Sequence, residues 1–288
     1  MKLTILVDNN TLIDRYFLGE PGLSIFIEED GQRLLLDVGY SEVFLINAQK
    51  MGLDLRFLDY VVLSHGHLDH TWGLDPLIRL YSEAAIEGLP HHRPVIVGHP
   101  QVFQTKILSG LPEIGSLLAE SKLAHHFPLR LSRSPVPLTE RLLFLGEIER
   151  RFDFEASQPL GEVERGQSRE PDFLPDDSAL AYKSPRGLVV IVGCAHSGIC
   201  NTVEYARQVC NEARVLDIIG GFHLLNPTEE RLEQTAAYLA QLGLKALHAC
   251  HCTDLRSKLA LSRAAPLQEV GVGLQLNYPS LSNFLNNG

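Results

Sequence analysis

No histidine precedes His65 in this 288-residue chain, although 12 occur in it, and no cysteine precedes Cys194. The five cysteines, Cys194, Cys200, Cys210, Cys250 and Cys252, are odd in number and contain no Cys-x-x-Cys pair. This argues against a disulfide framework and against a zinc-ribbon or thioredoxin-type motif. Long apolar runs are missing, so no membrane span is expected. The opening Met1-Lys2-Leu3-Thr4-Ile5-Leu6-Val7-Asp8 reaches an acid too soon for a secretory hydrophobic region, and the expected setting is the cytoplasm. Basic residues are in deficit, 25 against 35 acidic ones, for a formal charge of −10. That disfavours nucleic acid as the main partner and leaves a small molecule as the expected one, with homo-oligomerisation open. The remaining composition, 45% hydrophobic and 21% charged, is that of a globular chain able to bury one large core.

Strands are expected at Lys2–Val7, at Leu23–Glu28 and Arg33–Asp37 around an Asp30-Gly31 turn, at Tyr60–Leu63 and at Pro94–Val97. Helical patterns cover Ser41–Met51, Thr71–Ala85 and Gln101–Leu118, and several strands are expected from Phe127 to Phe154. The stretch 155–177 is rich in Glu, Gly, Pro, Ser and Asp without apolar periodicity, and reads as a mobile loop inside one domain spanning 1–288. Beyond it, a hairpin (Ala179–Tyr182, Leu188–Val192) is followed by alternating helices (Asn201–Ala213, Thr228–Leu242, Leu255–Arg263) and strands (Val215–Ile219, Ala246–Ala249). In both halves a buried strand runs into a histidine-bearing loop and then a helix. Two such halves face to face would put both loops at one edge of a sandwich.

The strongest signal is Leu63-Ser64-His65-Gly66-His67-Leu68-Asp69-His70. His65 and His67 are two apart and on extended backbone share a side, while Asp69 and His70 stand at the turn into a helix. Three imidazoles and a carboxylate suit zinc, manganese or iron. They exceed what one ion needs from one segment, so two divalent ions are expected, about 3.5–4 Å apart. His196, His223 and His251 each follow a predicted strand and precede a helix, and can complete the set at the same sheet edge.

These residues resemble the metallo-β-lactamase superfamily, whose signature is H-x-H-x-D-H. Gly22-Leu23-Ser24, Leu36-Asp37-Val38-Gly39, Gly193-Cys194-Ala195-His196-Ser197-Gly198, Gly220-Gly221-Phe222-His223-Leu224 and His251-Cys252-Thr253 are similar to the subgroup named for 7,8-dihydropterin-6-yl-methyl-4-(β-D-ribofuranosyl)aminobenzene-5′-phosphate synthase. The resemblance implies an α/β fold, a four-layer αββα sandwich. It also implies one metal on His65, His67 and His196 and a second on Asp69, His70 and His251. Asp69 and His223 become the candidate catalytic residues, with His223 as a proton donor, and Asp37 a candidate to orient a ligand histidine.

The chain departs from the superfamily in three places. Cys194 stands where many members carry a bridging Asp, and Asp176 or Asp177 is a candidate replacement. Asp254 ends the usual H-C-T-G, and Trp72 replaces a Gly after the first motif. Cys194 and His99 are candidates for touching substrate, His99 equally for capping its strand. Arg165 and Arg169 could meet a phosphate if their loop closes. The resulting expectation is a hydrolase with two metals, zinc by ligand type with manganese or iron as alternatives, acting on a small anionic, phosphate-containing substrate. The alternatives are a pterin-type transferase that releases pyrophosphate and a non-catalytic metal or ligand sensor.

Overall fold

The structure, a computed structural model, describes residues 1–279; residues 280–288 of the expected domain lie outside the described residues. Two large sheets and a small three-stranded one make up the described residues. The first has seven strands in the order Gln275–Asn277, Lys2–Val7, Ser24–Glu29, Gln32–Leu36, Tyr60–Val62, Val95–Gly98 and Leu129–Leu131. The second has six, in the order Ala246–Cys250, Val215–Gly221, Gly187–Val192, Ala179–Ser184, Leu142–Phe144 and Val136–Pro137.

Strand alternation decides how these sheets stack. In Gly187–Val192 every residue is buried, but Val189 and Ile191 point into one apolar cluster while Leu188, Val190 and Val192 point into another. The cluster holding Val189 and Ile191 also takes Leu3, Ile5, Ile25, Leu36, Val62 and Val97 from the first sheet, so it is the interior of the sandwich. The other lies between the second sheet and the helices Ile199–Cys210 and Glu229–Gln241. A third, holding Leu35, Val61 and Ile96, lies between the first sheet and the helices Val43–Lys50 and Leu74–Ile86. Three apolar seams separate four layers, αββα, as the sequence resemblance implies.

Gln32–Leu36, Tyr60–Val62 and Val95–Gly98 run parallel, as do Gly187–Val192, Val215–Gly221 and Ala246–Cys250. Parallel strands bring their C-terminal ends to one edge, where open α/β sheets place their sites. Asp37, the His65–His70 segment, Cys194, His196, His223 and His251 all lie just past such ends.

Two expectations fail. The region 101–118 is not helical; it holds the short strand Lys106–Ile107 among turns. Gly110 at positive φ and Pro112 break the helical pattern, and a Cβ on Gly115 would collide with the Gln104 carbonyl. The region 155–177 contains a hairpin, Glu162–Arg165 with Ser168–Pro171, which pairs through Glu162–Val163 with Lys106–Ile107. Its outer strand is exposed throughout, so it needs no apolar alternation and leaves none to read.

Candidate metal centre

Local backbone shape delivers the ligands. Gly66 passes so close to the Val102 carbonyl that a Cβ would overlap it, and Gly193 packs against Ser64 in the same way. Asp37, Ala195, His223 and His251 adopt φ of +57°, +51°, +46° and +50°, in the left-handed region that costs non-glycine residues energy. Two neighbouring acids hold the two main loops: Asp176 accepts from the Gly66 N–H (2.8 Å) and Asp177 from the Ser197 N–H (2.8 Å). Asp176 and Asp177 therefore anchor backbone and do not take the bridging place considered for them. Asp176 also pairs with Lys106, whose buried ammonium contacts Asp172 as well, both at 2.8 Å.

Side chains then converge. His65 Nε2 lies 3.1 Å from His67 Nδ1 and 3.2 Å from His196 Nε2. His70 Nε2 lies 3.2 Å from His251 Nε2 and 3.1 Å from Cys194 Sγ. Asp69 Oδ2 is 3.3 Å from His251 Nε2 and 3.7 Å from His70 Nε2. Among the described residues, His65, Cys194 and His196 form one group with ligand atoms all within 4.8 Å, and His70, Cys194 and His251 form a second.

This donor set fits divalent ions. Nitrogens bound at about 2.0–2.1 Å around one tetrahedral ion stand about 3.3 Å apart, close to the separations seen. Three of the outer ring nitrogens find acceptors that fix the tautomers, whereas His67 Nε2 is buried without a partner. His70 Nδ1 meets Asp37 Oδ2 (2.7 Å), and His251 Nδ1 meets Asn9 Oδ1 (3.1 Å). His65 Nδ1 meets Ser64 Oγ (2.9 Å), whose hydroxyl donates to Asp37 Oδ2 (2.7 Å). The Nε2 lone pairs of all three therefore face inward and need a cation among them.

Burial lowers the basicity of the first group: His67 falls to about 3, helped by the Lys106 charge. His65 and His196 fall well below the usual histidine range through burial and neighbouring imidazoles. Burial would lower His70 too, but Asp69 and Asp37 override it and raise it to about 9. Burial would raise Asp69, yet His70 and His251 hold it below the usual carboxylate range. Burial, with Cys252 beside it, pushes the Cys194 thiol up. A divalent ion at these atoms displaces such protons outright.

The centre opens into a cavity of ≈ 860 Å³. His67, Asp69, Cys194, His196, His223 and His251 reach it, along with Tyr40, Leu108, Ile114, Leu160, Leu225 and Lys258. His223 packs beside His196, with ring centroids 4.2 Å apart and the rings tilted by 51°. Trp72 does not line the cavity; it donates to the Gly115 carbonyl and stacks on Tyr40, which does.

Of the two roles open to His99, the geometry fits the cap and not substrate contact: the residue is fully buried away from the cavity, its Nδ1 accepting from the Gln101 N–H just past the strand Val95–Gly98, with Glu147 in contact. Cys194, expected only to touch substrate, sits between the two ligand groups. Arg165 and Arg169 also stay outside the cavity, paired with Glu170 and Glu164. Ser64 and Lys106 escaped the sequence reading. Ser64 adjoins the motif and was open to notice, whereas a lone lysine far from it carries no signal.

Comparison with known proteins agrees with this geometry. The family model described as "Metallo-beta-lactamase superfamily" matches residues 18–207. The chain is 29% identical over 274 residues to the 7,8-dihydropterin-6-methyl-4-(β-D-ribofuranosyl)-aminobenzene-5′-phosphate synthase of Methanocaldococcus jannaschii, covering 90% of this chain and 89% of that protein. It superimposes on the crystal structure of a metal-dependent hydrolase of the beta-lactamase superfamily with a TM-score of 0.81 at 27% identity, covering 97% of this chain and 100% of that one. A diphosphatase of the PhnP family shares the fold at a TM-score of 0.51 and 16% identity, over 97% of this chain and 98% of that one.

Proposed function

Because the chain belongs to the metallo-beta-lactamase superfamily, we propose that it is a hydrolase dependent on two divalent metal ions that acts on a small anionic, phosphate-containing substrate. The observation that carries this reading is the pair of ligand groups meeting at Cys194 on the floor of an ≈ 860 Å³ cavity. His65, His67 and His196 would hold one ion; Asp69, His70 and His251 the other. Ions bound there supply Lewis acidity and lower the pKa of a bound water.

The chain's own residues do the rest. His223 lines the cavity beside His196 and is placed to give a proton to the leaving-group oxygen. Lys258 brings a positive charge to an otherwise largely apolar wall, where it can meet a second anionic group. Leu108, Ile114, Leu160 and Leu225 keep water away from the bound substrate.

The test is turnover of aryl phosphate monoesters, diesters and diphosphates by protein reconstituted with zinc or manganese. Replacing His223 by Ala is expected to lower kcat by about 10²–10⁴-fold with metal content unchanged. An unchanged kcat removes His223 from the reaction, and a metal-loaded protein inert toward the whole panel supports the sensor reading instead. Similarity to the pterin-linked synthase favours a second reading, transfer with release of pyrophosphate. Pyrophosphate that appears only when an aryl amine accompanies an organic diphosphate would establish transfer over hydrolysis.

A further inference from the structure

The sulfur at position 194 has no role in the ligand assignment above. Resting on the dinuclear reading, we propose that Cys194 binds as a thiolate shared by both metal ions, in the place where many superfamily members carry a bridging carboxylate. Its Sγ is common to both ligand groups, with His65 and His196 on one side and His70 and His251 on the other. It stands 3.1 Å from His70 Nε2, and the residue is almost fully buried.

The turn is built to hold it there. Gly193 has no room for a side chain against Ser64, and Ala195 takes a left-handed φ of +51°, so Cys194 and His196 both reach the centre. The neighbouring thiol, Cys252, lies beside Cys194 but belongs to neither ligand group: its sulfur accepts from the His223 N–H (3.1 Å) and lies 3.7 Å from the Cys194 carbonyl oxygen, to which it donates. A thiolate has lone pairs for two ions, and the thiol proton leaves to solvent as the ions bind. Soft sulfur at the bridge favours zinc, cobalt or iron over manganese.

X-ray absorption at the zinc edge, with elemental analysis of the same zinc-loaded full-length samples, tests this. The wild type and Cys252→Ser should each hold two zincs with about one sulfur per zinc at about 2.3 Å. Cys194→Asp should keep two zincs and lose the sulfur shell, and Cys194→Ser should lose it too. About one sulfur per two zincs in the wild type would make Cys194 a ligand to one ion only and overturn the sharing while the dinuclear reading stands. So would no sulfur, or a sulfur shell that survives Cys194→Ser and vanishes in Cys252→Ser. A single zinc per wild-type chain would overturn the dinuclear reading itself, and the elemental count tells that failure from the others. The wild-type spectrum decides between one and two ions per sulfur even if a variant misfolds.

Discussion

At Asp37 one buried carboxylate meets three donors within 2.7 Å: the Ser64 N–H on Oδ1, and the Ser64 hydroxyl and His70 Nδ1 on Oδ2. It thereby orients His70 directly and His65 through Ser64. Replacing it with Asn keeps the volume but puts an amide where a charged acceptor is needed. Asp37→Asn is expected to weaken metal affinity about 10–100-fold, read by competition with a chromogenic chelator. Unchanged affinity would show that the ring orientations are fixed by packing alone. Single residues were legible where type and spacing coincide, as in His65, His67, Asp69 and His70, which the structure brings to one edge. Cys194 was weighed only for substrate contact because a carboxylate is expected at that place, whereas its sulfur belongs to both ligand groups. His99 stayed open between two roles because a histidine past a buried strand can meet a ligand or cap the strand, and its buried ring accepts from the Gln101 N–H as a cap does.

Elements were read well wherever burial imposes a period. The strands flanking the interior and the helices over them carry alternation or a helical stripe because each has a face to hide. The failures fall together at 101–118 and 155–177, joined by the pairing of Lys106–Ile107 with Glu162–Val163 and by the buried contacts of Lys106 to Asp172 and Asp176. The two segments are tied by strand pairing and buried charge, and their few buried apolar residues follow no period, so neither segment advertises the other. Lys106→Met would leave two carboxylates buried without their cation, at a cost of about 3–5 kcal/mol. Because Asp176 also accepts from Gly66, the variant should loosen the His65–His67 loop as well. Urea denaturation checks the first expectation. The exposed pair Lys2–Glu28 is the control, since Lys2→Met should change stability by less than about 1 kcal/mol. Equal effects at the two sites would mean that the buried triad adds no more than a surface pair.

Across the whole molecule the centre lies on the seam between the two sheets. His65, His67, Asp69 and His70 follow strands of the first sheet, and Cys194, His196 and His251 follow strands of the second. Ions held by both sets would join the halves of the sandwich at their open edge, while the apolar interior, from Leu3 and Ile25 to Val189 and Ile219, joins them everywhere else. The interior is extensive enough to keep the sheets together alone, so chelation should leave the far-ultraviolet circular dichroism unchanged at 25 °C. It should still lower the melting temperature, because an ion that binds only the folded state at about 1,000 times its dissociation constant adds about 4 kcal/mol. For a chain of this size that corresponds to a shift on the order of 8 °C, recovered on adding zinc back. Coincident melting curves with and without chelator would mean that ligands from the two sheets do not grip a common metal centre, and would count against the shared role of Cys194 at the same time.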